Sequence, residues 1–231
     1  MTKEQTAKYL TERFEKKDMD SRLDQKQFQA LFQAAVREFY PRFQMQHADQ
    51  TVYGISFEIG DVVQSVYYEN FETYLYFNTE EAYLENVNDC DEEEKSYYRF
   101  EAWAEWDVMS AESDLFRQLQ AYLEQNSLYF CTMCSDQDCS AEAFAWYKEL
   151  ELEFENAFDE ECYLIRKWMA EALGELRKEG FFAEQGNADL LVIPFGGEDE
   201  ISMEELMETW FLMDQGCHGT EYLDYIKSLR S

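Results

Sequence analysis

The sequence predicts an α+β fold: an antiparallel sheet of about four strands packed with several helices. Three observations predict it. Apolar residues alternate with period two between residues 51 and 77, as in half-buried strands. They recur at three- and four-residue spacing before residue 40 and after residue 110, as on one face of a helix. One further apolar run, near 190–195, stands between two helical segments, so strands and helices are segregated along the chain rather than strictly alternating.

The elements follow in order. Residues 3–17 and 24–39 read as N-terminal helices packed on the rest. In the second, Phe28, Leu31, Phe32, Ala35, Val36 and Phe39 share a face, Asp24 is the N-cap and Pro41 ends the run. In "TVYGISFEIG", Tyr53, Ile55, Phe57 and Ile59 fall on one side of a strand over 51–59. Strands over 62–69 and 72–77 follow on short connections, which suggests an antiparallel meander. "NTEEAYLEN" leaves the third strand as a short helix, with Asn78 as its cap and Glu81 completing a capping box. Residues 88–95, "NDCDEEEK", read as a solvated acidic loop.

The second half is helical. Leu115, Phe116, Leu119, Tyr122 and Leu123 lie at helical spacing, and "SLYFCTMCSDQDCS" after them is irregular. Glu149, Glu151, Glu153 and Glu155 alternate with Leu150, Leu152 and Phe154, which reads as an extended lead-in. From Phe154 the pattern Phe158, Cys162, Ile165, Met169, Ala172, Leu173, Leu176 is the clearest amphipathic helix, and Gly180 ends it. "ADLLVIPFGG" reads as a buried strand of the same sheet. Ser202 and Glu205 form a capping box opening a helix that stops at Gly216, and "EYLDYIKSL" is a last short helix. With two prolines, nine glycines and no internal repeat, the 231 residues read as a single domain, 1–231.

Composition bounds the function. Fifty acids against nineteen bases give a net charge of −31. Such a surface repels phosphates, which excludes nucleic acid as a partner and disfavours anionic membranes. A basic protein would instead be attracted and steered; the alternative is that the acidity only keeps the chain soluble. The start, "MTKEQTAKYLTERFEKK", has no apolar core of a leader, and no stretch of about 18 apolar residues occurs. A cytoplasmic chain with reduced thiols at Cys90, Cys131, Cys134, Cys139, Cys162 and Cys217 is the expectation.

Few residues ask for chemistry. Cys131, Cys134 and Cys139 have a spacing at which thiolates could hold zinc, with Cys162, Cys217 or His218 as a fourth ligand. The second pair usual in structural zinc sites is missing, so no metal or other cofactor is expected. His47 and His218 stand in no nucleophile pattern, and His218 reads as a helix-terminus residue. Glu101 and Glu105 share a helical face, but nothing marks one as desolvated. "GGEDE" at 196–200 carries acids where a phosphate cradle needs donors. In "SYYRFEAWAEWDVMS", Tyr97, Tyr98, Phe100, Trp103 and Trp106 read chiefly as core, with Arg99 paired to a carboxylate. Trp103 and Trp106 also stand as candidate anchors of a binding surface, because Trp, Tyr and Arg dominate interface hot spots. The acidic run before them, Asp89, Asp91, Glu92, Glu93 and Glu94, is the candidate partner-facing element.

Three segments together resemble a known family. "NTEEAY" (78–83) follows a strand, "YYRFEAWAEWDV" (97–108) leads to the pair Glu105-Trp106, and "LRKEGFF" (176–182) precedes a strand and "GG". From about Tyr53 to Tyr225 the chain resembles the bacterial domain of unknown function family 4303. The resemblance implies no established activity. It implies bacterial toxin–immunity neighbourhoods, where small cytoplasmic proteins neutralise a toxin by binding it. The reading is a non-enzymatic, acidic binding protein of immunity type with a basic partner. The alternatives are an enzyme with a carboxylate-lined cleft and a zinc-stabilised adaptor.

Overall fold

A computed structural model describes residues 22–59, 73–100, 106–127, 141–193 and 202–229. The predicted helix at 3–17, the strand at 62–69, the segment at 128–140 and "GGEDE" lie outside these. The described helices are α1 (Gln25–Gln46), α2 (Glu80–Asn86), α3 (Glu92–Phe100), α4 (Asp114–Asn126), α5 (Ala141–Lys178), α6 (Phe181–Glu184), α7 (Met203–Asp214) and α8 (Glu221–Leu229). The strands are β1 (Val52–Ile59), β2 (Thr73–Thr79), β3 (Asp107–Ser110) and β4 (Leu191–Val192), in the order β3-β2-β1-β4. The α+β class stands, but the sheet is mixed. β1 pairs antiparallel with β2 and β2 with β3, whereas β4 lies parallel to β1. β1 and β2 are bonded to each other directly, so the meander order does not hold between them. β3 takes a place in the sheet that the sequence pattern did not assign.

The sheet is covered on both faces. Ile55, Phe57, Leu75 and Phe77 join Phe28, Phe32, Phe39 and Phe43 of α1, Phe116 and Leu123 of α4, and Ile165, Met169 and Leu173 of α5 in one core. Tyr53, Trp106, Leu191 and Ile193 form a second with Leu206 and Trp210 of α7 and Tyr222 and Leu223 of α8. β1 is therefore buried throughout Val52–Phe57, not half-buried. A register shift between Val52 and Gly54 explains why Tyr53 and Ile55 enter different cores: a bulge inserts one residue and inverts the facing beyond it.

Caps place the helices. Asp24 accepts from the Gln27 N–H at 2.8 Å, Ser113 from Phe116 at 3.0 Å, and Ser202 and Glu205 form the reciprocal box expected. α1, however, runs through Pro41 to Gln46. An internal proline costs about 3 kcal/mol or more. Beyond it Phe43 is fully buried, with its ring 5.0 Å from Phe77 and 5.9 Å from Tyr40. Burying a phenylalanine stabilises by about 1.5–3 kcal/mol, and each aromatic pair adds about 0.5–1.5. Packing thus offsets the break. α5 is likewise continuous across 149–155, where an extended lead-in was expected. Leu and Glu are both good helix formers, so their two-residue alternation does not require a strand.

α1 and α5 also share a polar seam. Gln25 and Gln29 donate to Glu171 at 2.7 Å, Gln33 donates to Glu175 at 2.8 Å, and Arg37 pairs with Glu179. Partners at four-residue steps on both helices keep the two in register. Arg177, buried near the end of α5, donates to the carbonyls of Met213 (3.1 Å), Ala188 (3.4 Å) and Leu190, tying α7 and the approach to β4 to α5. Among the described residues no helix is long and apolar enough to cross a membrane.

Candidate functional site

The α2–α3 pair emerges from the end of β2. Asn78 remains in the strand, and Thr79 is the cap of α2, accepting from the Ala82 N–H at 3.1 Å. Glu81 does not close a capping box. Its carboxylate accepts from the N–H and hydroxyl of Thr51, each at 3.0 Å, and so ties α2 to the start of β1. Those hydrogen bonds, the Thr51 N–H first, hold the Glu81 carboxyl below its usual range.

The acidic run is not a loop throughout. Asp91 accepts from the Glu94 N–H at 3.0 Å, and Glu94 accepts from the Asp91 N–H at 3.0 Å. This is a capping box, and it starts α3 at Glu92. Carboxylates are favoured there by the positive end of the helix dipole, so the charge that suggested a solvated loop is what opens the helix. Asp89, Asp91, Glu92 and Glu94 are exposed, and the Glu92 side chain also reaches Lys95 at 2.7 Å. Glu93 lies in the first turn of α3. α2 buries no residue, and it shows Leu84 at 61% exposure, while α3 shows Tyr97 at 41%. Eight acids and two bases fall between Glu80 and Phe100. Desolvation first, then the charges of Glu94, Asp91 and Asp89, push the Cys90 thiol up and leave it little thiolate.

Beneath this surface the expected pairing of Arg99 is found. Its guanidinium lies 3.7 Å from Glu80, over the ring of Tyr53 at 4.8 Å and over that of Tyr83 at 5.3 Å. The Tyr53 hydroxyl donates to the Arg99 carbonyl at 3.4 Å and accepts from the Asn78 amide at 3.0 Å. Burial pushes the Tyr53 phenol well above its ordinary range, so it acts as a neutral hydrogen-bonding group. Glu80 and Tyr83 of α2 and Arg99 of α3 therefore meet over Tyr53 of β1 in one cluster.

Of the two readings of Trp106, core is the one found: it is 5% exposed in the second core, its ring 6.1 Å from that of Tyr53, so it presents almost no surface to a partner, contrary to its place among the candidate anchors. A Cβ on Gly54 would stand 3.0 Å from Trp106 Cη2, so the strand admits the indole there because it has no side chain. The indole N–H is buried without a partner. Phe100 is also core, as expected. Trp103, Glu101 and Glu105 lie outside the described residues.

The remaining sequence candidates that lie among the described residues do not converge. Cys131, Cys134 and Cys139 are outside the described residues. No disulfide joins Cys90, Cys162 and Cys217, and no group of three or more metal-ligating side chains occurs among the described residues. His218 sits just past the end of α7, the terminus position expected. Its Nδ1 meets Asp214 at 2.6 Å and its Nε2 meets the Asp189 carbonyl at 3.0 Å. Both ring nitrogens are occupied, so the His–Asp pair joins α7 to the approach of β4 and offers no free base. No family model, curated protein or solved structure matches the chain.

Proposed function

We propose that this chain is a non-enzymatic, acidic binding protein of the immunity type, acting in the cytoplasm, and that it neutralises a basic protein by docking it on the α2–α3 surface. One observation carries the reading. α2 buries no residue fully and rests on the second core through Tyr83, while α2, α3 and the link between them present Asp89, Asp91, Glu92, Glu94, Leu84 and Tyr97 to solvent. An acidic field with a few apolar and aromatic anchors suits a basic partner: charge steers the encounter and the anchors hold it. The resemblance to family 4303 supports the same reading, as does the net charge of −31, which opposes nucleic acid.

The test uses substitutions that keep the fold. In the combined variant Asp91→Asn, Glu92→Gln, Glu93→Gln and Glu94→Gln, Asn and Gln can still make the capping hydrogen bonds while four charges are lost. Capture of the basic protein encoded beside this chain should weaken, with thermal unfolding nearly unchanged. Undiminished capture would remove the acidic run from the interface.

A further inference from the structure

The acidic surface has a cation at its foot, and that cation is under-used. Arg37, Arg42 and Arg117 each reach a carboxylate within hydrogen-bonding distance. Arg99 does not: among the described residues its nearest carboxylate oxygen, on Glu80, is 3.7 Å away, too far for a hydrogen bond. Shortage of acids is not the reason. Glu81 stands beside Glu80, but its carboxylate is committed to Thr51. Meanwhile the Tyr53 and Tyr83 rings hold the guanidinium in place, with about a third of the side chain exposed. A planar fork of N–H donors, fixed by two aromatic rings and, among the described residues, ion-paired to Glu80 without a hydrogen bond to its carboxylate, is preorganised for a second carboxylate.

We infer that Arg99 receives an Asp or Glu side chain of the partner, set within a Lys- and Arg-rich segment. This rests on the reading of α2–α3 as the docking surface for a basic protein. Arg99 lies seven residues along α3 from Glu92, almost two turns and on the same face, roughly 10 Å at 1.5 Å per residue. An extended chain covers that in about two to four residues. The partner segment therefore carries a carboxylate with cations two to four positions away. Acids stand on both α2 and α3, so cations are wanted before and after the carboxylate. A side chain within a segment provides this, and a chain terminus does not. A uniformly basic segment would place an ammonium against Arg99, so the same residue discriminates against it.

The experiment uses two acetylated, amidated peptides, Lys-Lys-Ala-Ala-Glu-Ala-Ala-Lys-Lys and its counterpart with Gln for Glu, titrated by fluorescence anisotropy at low salt. The native protein should bind the Glu peptide roughly tenfold more tightly, the effect of one charge-assisted pair. Arg99→Met, which keeps an apolar stem on the tyrosine rings, should erase that preference with near-ultraviolet circular dichroism unchanged. The four-acid variant should weaken both peptides and keep the preference. Equal, salt-sensitive binding of both peptides to the native protein would overturn the carboxylate inference and leave the docking surface standing. Binding of neither would overturn the docking surface itself. The comparison on the native protein is decisive even if Arg99→Met does not fold.

Discussion

Gly174→Ala sets two known effects against each other. Gly174 lies within α5, facing α7. A Cβ built there would stand 1.9 Å from the Leu212 carbonyl oxygen, 2.8 Å from Gln215 Nε2 and 3.0 Å from the Leu212 carbonyl carbon. An ordinary contact begins near 3.4 Å, so the helices must part by about 1 Å or more. The obstacle is backbone, and no rotamer change relieves it. In isolation, alanine inside a helix is favoured over glycine by about 1 kcal/mol. Overpacking a close-packed interface costs about 1–3 kcal/mol, occasionally more. Separation would also stretch the Arg177 bond to Met213, now 3.1 Å. The net expectation is destabilisation by about 1–2 kcal/mol, a fall in Tm of roughly 2–8 °C for a chain of this size. Urea unfolding measures it, and an unchanged m-value would show that the denatured state is not responsible. A variant stabilised by up to about 1 kcal/mol, as helix propensity alone requires, would refute the close approach of α5 and α7.

Three further outcomes are expected. Arg177→Met leaves the Met213, Ala188 and Leu190 carbonyls without their donor and should cost about 2–4 kcal/mol in urea unfolding, with a change below about half a kcal/mol contradicting the clamp. Trp106→Phe removes an indole N–H that has no partner, so it should cost only about 1 kcal/mol of packing and leave binding unchanged; lost binding with stability intact would return Trp106 to the interface. The Glu81 carboxyl is lowered from its usual 4.5, so its tie to Thr51 is fully present above pH 4.5 and is lost as pH falls through the lower folded value. The Thr51 amide's protection factor, taken relative to its intrinsic exchange rate at each pH, should fall over that acidic range and be lost at neutral pH in Glu81→Ala; protection independent of both would refute the tie.

Elements with both a period and a cap were legible from the sequence. Asp24 and Ser202 open helices where their spacing says they should, and Gly180 and Gly216 follow the ends of α5 and α7 in left-handed conformation. What was not legible has physical causes. β3 is four residues long and half exposed, too short for alternation to register. The bulge at Val52/Gly54 leaves the apolar pattern intact while inverting its meaning. The parallel setting of β4 is decided by the helices around it and not by its own two residues. Charge hid a signal in the acidic run: Asp91 and Glu94 have capping-box spacing, but the density of acids around them read as solvation. The seam of Gln25, Gln29, Gln33 and Arg37 against Glu171, Glu175 and Glu179 was visible as two four-residue repeats, though nothing in one chain segment says which other it will meet. The tyrosine-held Arg99 depends on contacts from β1, α2 and α3 at once, which no single stretch of sequence displays.

The most direct test of the binding account is the salt dependence of association. The purified chain is mixed by stopped flow with any basic protein found encoded beside it, at ionic strengths of roughly 0.01 and 0.15 M. Exposed charges are screened beyond about 30 Å at the first and about 8 Å at the second. If the acidic α2–α3 surface steers capture, the association rate should fall roughly tenfold or more between them, and the four-acid variant should start lower and fall less. A rate indifferent to salt, or no binding to a basic neighbour, would contradict the account.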